Sequence, residues 1–136
     1  MDEKIEEKTN TFFAKEFSFS FKALDNTLEL FDSVREFCHH ISEAHYYSET
    51  INKKIFAMTL DVHLLSLQLP LLQKQARELY SEAEIAIDAG KTPTIQKKSI
   101  DELKIQLQTV DKKINELNTS LQKLVSDIKI EANGKV

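Results

Sequence analysis

Between Ile51 and Ala86 the apolar side chains fall at intervals of four and three without interruption: Ile51, Ile55, Met58, Val62, Leu65, Leu69, Leu72, Ala76, Leu79, Ala83 and Ala86. Such an a/d repeat is the seam of a helix lying along another helix, and it predicts one helix over 49–89, about 60 Å long at 1.5 Å per residue. Pro70 lies inside it. Leu69 and Leu72 keep their register across the proline, so a kink is expected rather than an end, although an interior proline costs roughly 3 kcal/mol. The alternative is two helices meeting near Leu69, because the residue before a proline avoids the α region. A second strict seam, Ile100, Leu103, Leu107, Val110, Ile114, Leu117, Leu121, Leu124 and Ile128, predicts another helix. Its start is expected at Pro93 after Thr92; the capping box Ser99–Glu102 offers a later one. Asn133-Gly134 closes it, giving a helix over 93–131 and a tail over 133–136. Asp88-Ala89-Gly90 stops the first helix, with Gly90 at C′. The short tip Gly90-Lys91-Thr92 folds the two helices into an antiparallel hairpin.

The N-terminal third carries a broader stripe. Phe13, Phe17, Phe21, Leu24, Leu28 and Phe31 run at 4-4-3-4-3, and Leu30, Val34, Phe37, Cys38, Ile41 and Ala44 widen it. One helix over 11–46 is expected, then a turn with Ser48 or Thr50 as N-cap. Residues 1–10 are acidic and read as a frayed tail. The fold class is therefore all-α: a three-helix bundle over 11–132, made of a coiled-coil-like hairpin with an N-terminal helix on its base. The long helix has a second apolar stripe, Leu60, Leu64, Leu67 and Leu71, opposite the seam. The N-terminal helix is expected to cover it, leaving 73–88 as a projecting two-helix tip. Whatever stays uncovered would drive self-association or partner binding.

Composition narrows the choice of chemistry. The chain of 136 residues has 2 Gly, 2 Pro, 1 Cys and no Trp, where an average chain of this length has about 10 Gly and 7 Pro. Phosphate-binding glycine loops, nucleophile elbows and turn-rich β folds need more glycine than this. The net charge of −4, with 16 of the 18 basic residues Lys, argues against nucleic acid as a partner. Residues 1–90 hold 9 basic and 16 acidic side chains, and residues 91–136 hold 9 and 6, so an acidic arm lies beside a basic one, where flanking pairs are each weak. The acidic start Met1-Asp2-Glu3-Lys4 does not resemble a leader. The longest uncharged run, Val62 to Gln73, is too short for a bilayer, so no membrane insertion is expected. The lone Cys38 fits a reducing, cytoplasmic setting.

Few residues suggest a reaction. Glu36 and His39 form one E-x-x-H, with Glu43 one turn on and Cys38, His40 and His45 nearby, but a helical dimetal site needs a second such unit and two further carboxylates. Arg35 to His40 spells R-x-x-x-x-H, which resembles the signature of HEPN-type helical ribonucleases; the resemblance implies Arg35 and His40 as catalytic residues at a dimer cleft. His63 reads as a boundary residue on its helix. The carboxylate pairs Glu82/Glu84 and Asp101/Glu102 sit in solvated turns where nothing raises a pKa. Phe12, Phe17 and Phe19 belong to a Phe-rich segment that serves either as core or, through its period-2 alternation from Phe17 to Phe21, as a docking segment. The expected function is that of a non-enzymatic protein-interaction module (an adaptor, chaperone, inhibitor or assembly subunit) without cofactor or metal. Its contacts would be the Leu60, Leu64, Leu67 and Leu71 stripe or the Phe-rich segment with Phe12, Phe17 and Phe19, and its partner another protein or itself. The alternative is a helical metal protein or HEPN-like ribonuclease using the Arg35–His40 region.

Overall fold

A computed structural model describes residues 2–43 and 47–134. They form four helices: α1 (Asp2–Phe17), α2 (Phe21–Glu43), α3 (Glu49–Asp88) and α4 (Lys97–Gly134). The all-α class and the long hairpin of α3 and α4 are as expected; the helix count is four rather than three. α3 runs unbroken through Pro70. Pro70 lies on the exposed side of α3, where water can satisfy the Ser66 carbonyl deprived of its helical donor.

The hairpin ends as its residues dictate. Gly90 takes φ 74°, its N–H donates to the Ile87 carbonyl at 3.0 Å, and the Lys91 N–H donates to Ala86 at 2.8 Å. This is the Schellman pairing, open to glycine without a Cβ penalty. The expected start of α4 at Pro93 is corrected. Lys91 to Gln96 are non-helical and α4 begins at Lys97. Ile95 packs on the core from within this connector, which holds the chain off the helical path past Thr92-Pro93. The other expected cap is found: the Ser48 side chain accepts from the Ile51 N–H at 3.3 Å. The Tyr47 hydroxyl ties the same turn to α2 by donating to the Ile41 carbonyl at 3.2 Å. Ser48→Ala is expected to lower stability by about 1 kcal/mol, read as a fall in urea midpoint at unchanged slope.

Two N-terminal expectations are overturned together. Residues 2–10 are helical rather than a tail, and the single helix over 11–46 is two helices (its residues 44–46, with His45, lie outside the described residues). The break is at Ser18, the one non-glycine residue with positive φ (51°) among the described residues. The Phe19 N–H turns back to the Phe13 carbonyl at 3.2 Å, and the Phe19 ring enters the core. Buried Thr9 donates to the Ile5 carbonyl, and fully buried Phe13 meets Phe21 edge-to-face at 4.8 Å. Phe21 in turn meets Tyr80 of α3 at 5.2 Å. α1 thus packs on α3, so the 73–88 part of the hairpin is covered rather than projecting. Along α2 the buried positions are Leu24, Thr27, Phe31, Val34, Cys38 and Ile41, a strict 3-4 seam once Thr27 is counted. Thr27 is tolerated there because its hydroxyl lies 3.0 Å from the Ala23 carbonyl and 3.1 Å from Asp111 Oδ1 of α4.

Candidate functional site

α2 packs against both α3 and α4, along the side of α3 that carries Thr59, whose hydroxyl is 4.0 Å from Cys38 Sγ. It therefore does not reach the second apolar stripe, and the expectation that the N-terminal helix covers it is corrected. Leu65, Leu69 and Leu72 of α3 are buried, while Leu60, Leu64, Leu67 and Leu71 stand 49–68% exposed. Phe56, one turn before Leu60 on the same side, is 66% exposed and extends the stripe. Sequence reasoning missed this ring, although its four-residue step to Leu60 was visible. Five large apolar side chains in a row over four turns differ from the singly scattered exposed residues of ordinary surfaces.

The stripe borders two grooves between α3 and α4. One holds Leu64 beside Lys54, Asp61, Lys113 and Glu116. The other holds Leu71 beside Lys74, Glu78 and exposed Ile105. The only α3–α4 ion pair among the described residues, Lys54 Nζ to Asp127 Oδ2 at 3.1 Å, sits at the far end of this face. Charge is otherwise scarce here: from Ile55 to Gln73 the sole charged residue is Asp61. By length and composition α3 is apolar enough to cross a bilayer, and only 17% of its most apolar 18-residue window is buried. The uncharged run Val62–Gln73 alone understated this, because Ile55 to Met58 lengthen the apolar stretch.

The Phe-rich segment is placed in the core. Phe13 and Phe19 are buried, and Phe12 and Phe17 are half-buried against the same cluster. The period-2 alternation from Phe17 to Phe21 marks the Ser18–Ser20 connector. Of the three rings named as a docking segment, Phe19 packs inward, whereas Phe12 and Phe17 keep one side outward and Phe12 lines an open groove with Lys8 and Ile87.

The titratable cluster on α2 makes only local pairs. His39 Nε2 is 2.9 Å from Glu43 Oε1, and His40 Nε2 is 3.7 Å from Glu36 Oε1. Arg35 pairs with Asp32 at 3.2 Å and lies 5.8 Å from the Phe31 ring centroid. All of these polar side chains are exposed, and among the described residues no three His, Cys, Asp or Glu side chains gather to hold a metal. Arg35 and His40, five residues apart, project about 140° apart around the helix at 3.6 residues per turn. Burial pushes the Cys38 thiol up, with the Thr59 hydroxyl opposing, and its side chain packs in the core. No family model, curated protein or solved structure matches the chain.

Proposed function

We propose that this protein is a non-enzymatic interaction module that binds another protein chain through the exposed face of α3. One observation carries the reading: Phe56, Leu60, Leu64, Leu67 and Leu71 form a continuous apolar stripe on a bundle whose core is already complete without them. These side chains are 49–68% exposed, so leaving the stripe in water forfeits about 1–2 kcal/mol per large side chain relative to full burial, a standing incentive for a partner to cover it. Asp61, His63 and Gln68 interrupt the apolar character of α3, which supports a protein partner over insertion into lipid. The cytoplasm suits the free, buried Cys38.

The test is co-purification from the native cell with the wild-type chain and with Leu64→Lys/Leu67→Lys. Both changes are at exposed positions, so the helical circular dichroism and melting temperature are expected to stay close to wild type. The co-purifying chain is expected to be lost. Full retention of every partner by the folded variant would refute the stripe as the binding face. The contrasting double change His39→Ala/His40→Ala is expected to leave binding intact; loss of activity with it would instead favour chemistry in the Arg35–His40 region.

A further inference from the structure

We infer that the groove between α1 and the tip of the hairpin is a second binding surface, which takes an acidic segment of a protein partner around one apolar side chain. The groove shares no residue with the exposed α3 stripe. Its floor is made by Phe12 of α1, Ile87 of α3 and Pro93 of the connector, each half-buried. The open space over this floor is about 660 Å³, within the range of about 300–1,000 Å³ usual for ligand-sized clefts. Exposed Lys4, Lys8 and Lys15 line it from α1, and exposed Lys91 lines it from the connector.

The charges of α1 are sorted rather than mixed. At 3.6 residues per turn Lys4, Lys8 and Lys15 project within about 40° of one another, and Glu3, Glu6, Glu7 and Glu16 project at least about 60° away from all three. The charged pairs four residues apart are Asp2–Glu6, Glu3–Glu7 and Lys4–Lys8, each like on like. A helix face that only meets water gains from opposite charges at that spacing and loses from equal ones. Three lysines against five acids make α1 acidic, yet four lysines against Glu7 and Glu16 make the groove basic. Among the described residues no carboxylate lies within 4.0 Å of any of these four amines; the ion pairs are elsewhere. The basic edge is therefore left for a partner's carboxylates.

Charge and shape together select the occupant. Amines on both sides of an apolar floor suit a chain segment with carboxylates on both sides of one apolar residue. A flat lipid surface meets the line of lysines without entering the groove, and a free phosphate leaves the floor in water. Nucleic-acid phosphates are better held by the planar fork of Arg, and the groove has none. Exposed ion pairs each add little and are screened by salt. Binding is therefore weak, salt-sensitive and dependent on the apolar side chain as well as on the charges.

Fluorescence anisotropy tests this on the intact chain, with a labelled synthetic peptide that carries one Leu between two pairs of Glu. Wild type is expected to bind this peptide at low salt, and to bind the Gln-for-Glu and the Gly-for-Leu peptides roughly tenfold more weakly. Lys8→Glu/Lys91→Glu changes two exposed positions and is expected to keep the helical circular dichroism of wild type. It is expected to lose roughly tenfold in affinity for the Glu peptide and to gain binding of the Lys-for-Glu peptide. Leu64→Lys/Leu67→Lys is expected to bind the Glu peptide at least as well as wild type, which separates the groove from the α3 stripe. Absence of peptide binding by wild type, equal binding of the Glu and Gln peptides, or unchanged binding by Lys8→Glu/Lys91→Glu would overturn the groove as an acidic-segment site and leave the α3 reading standing. Loss of the peptide in Leu64→Lys/Leu67→Lys would move its site to the stripe and overturn the groove as well. Phosphatidylserine vesicles that bind wild type but not Lys8→Glu/Lys91→Glu, with the peptide unbound, would replace the protein segment by a membrane surface.

Discussion

Phe13→Ala is expected to lower the free energy of unfolding by about 3–5 kcal/mol, the usual range for deleting a large buried aromatic side chain. Phe13 is fully buried, although it belongs to the most N-terminal helix. Its ring lies 5.3 Å from Phe12, 6.2 Å from Phe17 and 4.8 Å from Phe21, and Phe21 carries the contact on to Tyr80 of α3. Truncation removes the ring that joins α1 to this cluster and leaves a void that neighbouring rings cannot fill without leaving their rotamers. α1 has few other anchors: Thr9 is its second buried side chain, and a Lys104 amine reaches the Phe17 carbonyl from α4. The loss is therefore expected to appear first as fast amide exchange throughout α1 and next as a lower urea midpoint. A change below about 1 kcal/mol with α1 amides still protected would show that α1 does not depend on this contact.

Leu65→Ala is expected to cost about 2–5 kcal/mol, whereas Leu64→Ala in the isolated chain is expected to stay within about 0.5 kcal/mol of wild type. The two leucines are adjacent, equal in size and on the same helix. Leu65 is 3% exposed in the seam with α4, and Leu64 is 58% exposed on the outer face. About 100° of helical rotation separates them, so propensity and denatured-state effects nearly cancel in the comparison. Chemical denaturation of the isolated chain reads the difference directly. Equal losses at both sites would mean that the outer face is packed within the monomer.

The hairpin was legible because its signals are strong and agree. The α3 and α4 seams repeat without a polar interruption, Gly90 supplies the residue a Schellman stop requires, and Ser48 supplies the cap. The break in the N-terminal third was not legible. It is made by Ser18 in a left-handed conformation that costs a non-glycine residue roughly 1–2 kcal/mol, and burial of Phe13 and Phe19 offsets that cost. Tertiary contacts and local cap chemistry make the break together: the Ser20 hydroxyl accepts from the Lys22 N–H at 3.3 Å at the start of α2, a signal hidden by the apolar stripe that continues from Phe13 to Phe31 across it. Thr27 was hidden for a similar reason: a hydroxyl in a seam looks like an interruption until Asp111, 84 residues away, is seen beside it.

The candidate site divides in the same way. The existence of the Leu60/Leu64/Leu67/Leu71 stripe follows from spacing alone. Its exposure depends on where α2 docks, and that follows from the Leu24–Ile41 seam meeting α3 on the Thr59 side. Phe12, Phe17 and Phe19 were legible as apolar, but spacing alone left open whether they serve as core or as a docking segment. The chain turns there and draws Phe19 into the core, with Phe12 and Phe17 half-buried against it.

Hydroxyl-radical footprinting tests the central claim most directly, because it reads side-chain exposure without any substitution. Phe56, Leu60, Leu64, Leu67 and Leu71 are expected to oxidise readily in the dilute isolated chain and to become protected in the assembly recovered from the native cell, while Arg35, His39 and His40 keep their reactivity. An assembly in which the α3 stripe stays as reactive as in the isolated chain, and a different surface is protected, would contradict the account.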